Sequence, residues 1–279
     1  MNVLFATGIY PPDIGGPATS VRHLAGALSE RGIGVEVVTY GDPEAVPDGD
    51  PFAVRRVARG RPLPARYGAY ARAVRRAAAR ADLVFAQDPL SAGVPATAGA
   101  RWARRPLALK VVGDLAWEIA DDRGWVAEGV DAFQAKRYGA RVETLRVVQR
   151  RVARAAERVI VPSRYVERIV AGWGVRAQRL HVVPNGVPPL AAPLPSREAA
   201  RAELGLPGSS FVIASVGRLI PLKRFELLIA ALGLLRGRVP DPRLVLAGAG
   251  PREGALRARA AEQGLSDRVR LTGRLAPAD

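Results

Sequence analysis

Short apolar runs alternate with longer stretches whose apolar positions recur at helical spacing along nearly the whole chain. Residues 2–7 form an apolar run that breaks at Gly8. Residues 17–31 then carry Val21, Leu24, Ala25 and Leu28 at helical spacing, and Gly32 stops the pattern. Strand-like runs follow at 34–39, 83–86, 107–112, 158–162 and 179–183, with 53–57 a marginal one, so the first unit counts about six strands. Residues 65–80 and 139–157 read as helices, and Ser163 reads as the N-cap of another over 164–173. Near-continuous apolar strands alternating with helices predict a parallel sheet covered on both faces.

The segment 188–195, Pro-Pro-Leu-Ala-Ala-Pro-Leu-Pro, interrupts this rhythm and reads as a stiff linker. Beyond it the alternation resumes with strand 210–216, helix 224–236, strand 243–247, helix 251–263 and strand 268–271. Two α/β units are therefore expected, 1–187 and 188–279. The second has only three predicted strands, one half of an open doubly wound sheet. The most apolar run, 227–235, is well short of the roughly 18 residues that a membrane span requires. The opening residues 1–5 lack a basic flank and read as a strand, not as a secretory signal.

Composition sharpens this picture in two places. With 279 residues and 48% hydrophobic content, the chain has the length of about two domains and is too apolar to be disordered. The absence of cysteine excludes a disulfide scaffold, a thiolate metal site and a cysteine nucleophile. The net charge of +16 comes from 42 basic against 26 acidic residues, and only Lys110, Lys136 and Lys223 are lysines. Such an excess suits an anionic partner, yet arginines spread along an alanine-rich chain also suit a compositional bias. Arg146, Arg150, Arg154 and Arg158 recur every fourth residue, and Arg72, Arg76 and Arg80 form a shorter stripe. These stripes offer either a solvated helix face or a surface for anionic lipid.

Three loops carry the candidate chemistry. The first, from Tyr10 to Pro17, follows the first strand and contains Gly15 and Gly16. It either lets backbone N–H groups approach an anion at a helix start or is a plain glycine turn. The second, Gly217-Arg218-Leu219-Ile220-Pro221-Leu222-Lys223, sets two cations past a strand end. They suit a pyrophosphate, Arg218 as a planar fork and Lys223 as a point charge, or they are simply solvated. The third, Gly248-Ala249-Gly250-Pro251, is a glycine loop at the same end of the same sheet, with Pro251 at the expected first helical position. His23 and His181 fit ordinary structural positions, and no serine triad or zinc spacing stands out.

Taken in order, these loops resemble the family 4 retaining glycosyltransferases of the GT-B fold. Val183-Pro184-Asn185-Gly186-Val187 looks like that family's turn near the end of its first domain. The resemblance implies two Rossmann-like domains: an acceptor-side domain over 1–187 and the first half of a nucleotide-sugar domain over 188–279. It implies Gly15, Gly16, Gly217, Gly248 and Gly250 as donor-binding positions. It implies Arg218 and Lys223 as the catalytic cations that neutralise the diphosphate, with no metal or other cofactor. Gly113 stands where many members carry histidine, which leaves Asp114 and Glu118 as candidates for acceptor hydroxyls. The plain alternative is an N-capping Asp114 and a solvated Glu118.

The implied function is transfer of a sugar from a nucleotide-diphosphate donor to a hydroxyl of a glycan, lipid-linked or small acceptor. Such enzymes serve cell-envelope polysaccharides from the cytoplasm, with peripheral contact at the inner face of the plasma membrane. The family's Glu-x7-Glu motif falls beyond Asp279, so the chain expressed alone is expected to aggregate and to be inactive. Two rival readings follow: a non-catalytic nucleotide- or glycan-binding subunit, and, more weakly, a basic protein on nucleic acid or membrane. The lack of any nucleic-acid motif argues against a nucleic-acid partner.

Overall fold

A computed structural model describes residues 1–42, 49–186 and 194–275. The predicted linker at 188–195 and the predicted turn's Val187 lie largely outside these residues. Two compact units divide the chain, Met1–Pro188 and Pro189–Asp279.

The first unit runs β1 (Asn2–Ala6), α1 (Gly16–Ser29), β2 (Gly34–Tyr40), β3 (Ala53–Val57), α2 (Leu63–Ala78), β4 (Leu83–Gln87), α3 (Gly93–Trp102) and β5 (Leu107–Lys110). It continues through α4 (Leu115–Asp122), α5 (Val130–Ala135), α6 (Ala140–Ala155), β6 (Arg158–Val161), α7 (Arg164–Ala171) and β7 (Leu180–Val182). The strands form one parallel sheet in the order β3-β2-β1-β4-β5-β6-β7, so the marginal run at 53–57 is a true edge strand. The order reverses direction at β1 and β4, where open α/β sheets place their ligands.

Alternation along each strand separates two cores. Leu4, Val84, Leu109 and Val159 face α2, α3, α6 and α7, where Val74, Ala96, Val152 and Ile169 meet them. Val3, Phe5, Phe85 and Ala108 face the other way, against Val21 and Ala25 of α1 and the ring of Tyr10. The fully buried Tyr70 donates its hydroxyl to the backbone oxygens of Thr7 (2.9 Å) and Val38 (2.7 Å), tying α2 to the ends of β1 and β2.

Two helices of this unit, α3 and α5, have no counterpart in the sequence expectation, and α4 follows only the alternative in which Asp114 is an N-cap. The α3 sequence, GVPATAGARW, dilutes three alanines with two glycines and a proline, so its helical signal is weak. The turn that leads into it is held by the Asp88 carboxylate. This accepts from the N–H groups of Leu90 (2.8 Å) and Ser91 (2.6 Å), with Ala92 at 3.3 Å. The expected N-cap of α7 is present, with Ser163 Oγ accepting from Val166 N at 3.3 Å.

The expected basic face on α6 needs correction. Arg146 is 4% exposed and lies over the Phe133 ring at 4.8 Å. It donates to the carbonyls of Lys136 (2.8 Å) and Gln134 (3.2 Å) and pairs with Glu143. Arg154 donates to Trp173 O, and Arg158 opens β6 rather than extending the helix. The α5 segment supplies this second partner surface, which a four-residue arginine period conceals. Arg72 and Arg76 on α2 do face solvent.

The second unit comprises α8 (Arg197–Glu203), β8 (Phe211–Val216), a 3-10 turn (Pro221–Lys223), α9 (Phe225–Leu235), β9 (Pro242–Ala247), α10 (Glu253–Glu262) and β10 (Val269–Gly273). Its sheet is parallel in the order β10-β9-β8. Leu219, Phe225, Ile229, Leu244, Leu246 and Leu256 form its core. Two local expectations shift here. Helix α8, N-capped by Ser196, went unpredicted, and α10 begins at Glu253, so Pro251 belongs to the preceding turn. Among the described residues no helix is long and apolar enough to cross a membrane.

Candidate functional site

In the second unit, two loops leave the ends of β8 and β9 side by side. Gly217 N donates to Ala247 O (2.9 Å), Leu219 N to Ala249 O (3.0 Å) and Arg252 N to Leu219 O (3.0 Å). Gly248 N closes the set on Gly273 O at the end of β10 (2.7 Å). Leu219 and Phe225 are sunk in the core and anchor the loop between them. The consequence is a rigid ledge with Gly217, Gly248 and Gly250 in its floor.

Those glycines are required by the ledge itself. Gly248 holds φ at 143°, and a Cβ there would lie 1.9 Å from Gly217 O. A Cβ on Gly250 would lie 2.4 Å from Leu219 O. Arg218 and Lys223 project from the same ledge, both exposed. Neither side chain has a hydrogen-bond or ion-pair partner among the described residues. By contrast Arg252, also on the ledge, is held by Glu226 at 3.0 Å. Two unpartnered cations beside tightly approached backbone, at the carboxyl ends of parallel strands, form an arrangement suited to a diphosphate.

In the first unit, Gly15 is the N-cap of α1 and Gly16 its first residue. No side chain caps this helix and no acidic residue occupies its first turn, so its leading N–H groups remain available to a ligand. A Cβ at Gly16 would meet nothing within 4 Å.

Asp114 does not present its carboxylate to a ligand. It is 2% exposed and caps α4, with Oδ1 accepting from Trp117 N (3.0 Å) and Gln149 Nε2 (2.8 Å). Its Oδ2 accepts from Gln134 Nε2 (2.8 Å). The capping alternative therefore describes Asp114, and its role is to fix α4 against α5 and α6. Asp114→Ala is expected to cost about 2–4 kcal/mol, because it removes a cap and strands the buried amide donor of Gln149. Urea unfolding followed by tryptophan fluorescence measures this, since Trp117 sits on the capped turn. Glu118 is half-buried and folds back toward Gly113, whose absent Cβ would stand 2.6 Å from Glu118 Oε1. A larger residue at position 113 would displace it.

Asp88, just past the end of β4, is a perturbed carboxylate that the sequence expectation missed. The signal was available as Asp88-Pro89 directly after a strand, with Ser91 three residues on. The residue holds φ at 80° at the end of β4. Burial outweighs its hydrogen bonds and pushes its carboxyl up to about 6 from 3.8. The folded state therefore binds the Asp88 proton more tightly than the unfolded chain. The associated stability is present below about pH 3.8 and is lost as pH rises through about 6. Relative to wild type, Asp88→Asn should gain on the order of 1–3 kcal/mol between pH 4 and pH 7. Paired urea titrations at the two pH values test this; a pH-independent difference would contradict it.

Among the described residues no group of three or more His, Asp or Glu side chains is placed to hold a metal ion.

A seven-stranded parallel unit and a separate α/β unit bearing a cationic ledge define the GT-B class. Comparison with solved structures agrees. The HepE protein of Anabaena, in complex with UDP-glucose, is 23% identical with a TM-score of 0.75, covering 99% of this chain and 70% of that one. WaaG, described as a glycosyltransferase involved in lipopolysaccharide biosynthesis, is 16% identical with a TM-score of 0.67 and the same coverage. A UDP-GlcNAc 2-epimerase from Methanocaldococcus jannaschii also shares the fold, with 12% identity and a TM-score of 0.58. Fold alone thus does not separate transfer from epimerisation.

Family models define the chain more narrowly. A glycosyl transferase 4-like domain matches residues 15–186, and a glycosyl transferases group 1 domain matches residues 196–279. The chain belongs to the family 4 glycosyltransferases. A D-inositol 3-phosphate glycosyltransferase of Nocardia farcinica is 32% identical over 92% of this chain, which spans 59% of the relative's length. A GDP-mannose-dependent phosphatidylinositol monomannoside mannosyltransferase of Mycolicibacterium smegmatis is 35% identical over 46% of this chain, spanning 34% of the relative.

Proposed function

We propose that the second unit holds a nucleotide-diphosphate sugar and the first unit a hydroxyl acceptor, for sugar transfer with retention of anomeric configuration. The observation that carries this reading is the pair of unpartnered cations, Arg218 and Lys223, on the glycine ledge at the strand ends. In the reaction, the bond from the anomeric carbon to the diphosphate oxygen breaks. The acceptor oxygen bonds to that carbon from the same face, and its proton passes to the departing diphosphate. Arg218 and Lys223 stabilise the charge that develops on the leaving group.

The named substrates of two relatives, D-inositol 3-phosphate and a phosphatidylinositol monomannoside, support an acceptor that carries a phosphate group. A cytoplasmic location, with the exposed Arg72 and Arg76 of α2 facing an anionic membrane, suits an acceptor carried on lipid. Calorimetric titration with UDP, GDP and their sugars tests the donor assignment. Saturable binding of at least one nucleotide is expected, and no binding across the panel would overturn the reading.

A further inference from the structure

A row of buried polar side chains crosses the first sheet just where its strands end. Thr39, Thr7, Gln87 and Lys110 are 0%, 0%, 4% and 8% exposed. They belong to, or directly follow, the adjacent strands β2, β1, β4 and β5. Gln87 and Lys110 are register partners, and Thr7 lies one residue past the Ala6–Ala86 and Ala6–Val38 pairs. Strand alternation turns all four to the α1 side, since Val37, Phe5, Phe85 and Ala108, two residues earlier on each strand, pack in that core.

The two threonines are satisfied locally, through Ile9 O (2.9 Å) and Tyr40 O (3.3 Å). Gln87 and Lys110 are not. Neither the amide nor the ammonium has a partner among the described residues, and neither tip is sealed in apolar packing. Lys110 thus combines a buried stem with an ammonium that no carboxylate answers. Burial alone lowers its pKa, with no acidic neighbour offsetting the loss of hydration. A partly desolvated cation without a counter-charge carries a cost, and an anion supplied by a ligand reduces it.

We propose that Lys110 and Gln87 form a subsite for the phosphate group of the acceptor, with the Lys110 ammonium as counter-charge and the Gln87 amide as a second donor. The inference rests on the reading of the first unit as the acceptor side. The pair lies at the carboxyl edge of the sheet, on the face that α1 covers, and the uncapped start of α1 emerges at that same edge. A lysine suits the role because a compact point charge accepts a phosphate oxygen from several directions. Its choice is notable in a chain with only three lysines.

Those three lysines also make the test direct. The chain is labelled with 13Cε-lysine, and the three signals are assigned through Lys110→Met, Lys136→Met and Lys223→Met. It is then titrated separately with D-inositol 3-phosphate, inositol, inorganic phosphate and UDP or GDP. The expected result is a saturable shift of the Lys110 signal with D-inositol 3-phosphate and none with inositol. Lys110→Met and Gln87→Leu should each weaken D-inositol 3-phosphate binding at least tenfold while leaving nucleotide affinity unchanged.

A Lys110 signal that stays silent with the phosphorylated probe overturns the proposal, as does one that follows only the nucleotide. A shift with inorganic phosphate as strong as with D-inositol 3-phosphate overturns the acceptor assignment. The donor reading stands or falls separately, on whether Lys223 answers the nucleotide.

Discussion

Gly248→Ala destabilises the second unit by roughly 3 kcal/mol or more and abolishes nucleotide binding, while the first unit stays folded. The new Cβ would lie 1.9 Å from Gly217 O and 2.9 Å from Gly217 C, in a backbone conformation with φ at 143°. Neither contact ends on a flexible side chain, so the two loops must part. Gly250→Ala meets the same obstacle, with Leu219 O, C and N at 2.4, 2.7 and 2.8 Å. Gly254→Ala in α10 is the control. Nothing lies within 4 Å of its Cβ, and alanine is a better helix former than glycine in this first turn, so the effect should be neutral or slightly stabilising. The chain offers a convenient separation of signals, because Trp102, Trp117, Trp125 and Trp173 all belong to the first unit. Circular dichroism should therefore register early loss of the second unit in urea, with the tryptophan fluorescence transition unmoved.

Arg218→Ala and Lys223→Ala should behave in the opposite manner. Both side chains are exposed and unpartnered among the described residues, so their loss leaves stability unchanged within about 0.5 kcal/mol. Charge-assisted hydrogen bonds to a diphosphate contribute about 1.5–3 kcal/mol each, which corresponds to a weakening of nucleotide binding by roughly ten- to a hundredfold per variant. Arg218→Lys should recover only part of the loss, since a point charge cannot reproduce a bidentate fork. Equal nucleotide affinity in wild type and both alanine variants would place the donor elsewhere.

How much the sequence disclosed follows from how local each feature is. The glycine ledge and its cations were legible because each lies within a few residues of a strand end, where turn chemistry is written in order. The strands themselves were legible from period and β-branched content, including the edge strand at Ala53–Val57. The Asp88 turn was legible in principle, whereas the two glycines and the proline of α3 mask the helical signal of its alanines. Arg146 was not legible, since its burial depends on Phe133 from α5, 13 residues away and itself unpredicted. The Gln87–Lys110 pair was the least legible. Two strands separated by α3 come into register there, and only that pairing makes the two polar ends neighbours. Asp114 shows the complementary error, in which a carboxylate suited to binding sugar hydroxyls is occupied by the protein's own amides.

The claim on which the rest depends is that the ledge of the second unit receives the donor diphosphate. Hydrogen-exchange mass spectrometry of the chain, with and without saturating UDP or GDP, tests it at residue level. The account predicts new protection confined, within the second unit, to the segments around 217–225 and 248–252, and loss of that protection in Arg218→Ala/Lys223→Ala at the same nucleotide concentration. Nucleotide-dependent protection that leaves both segments unchanged, or that persists in the double variant, would contradict it.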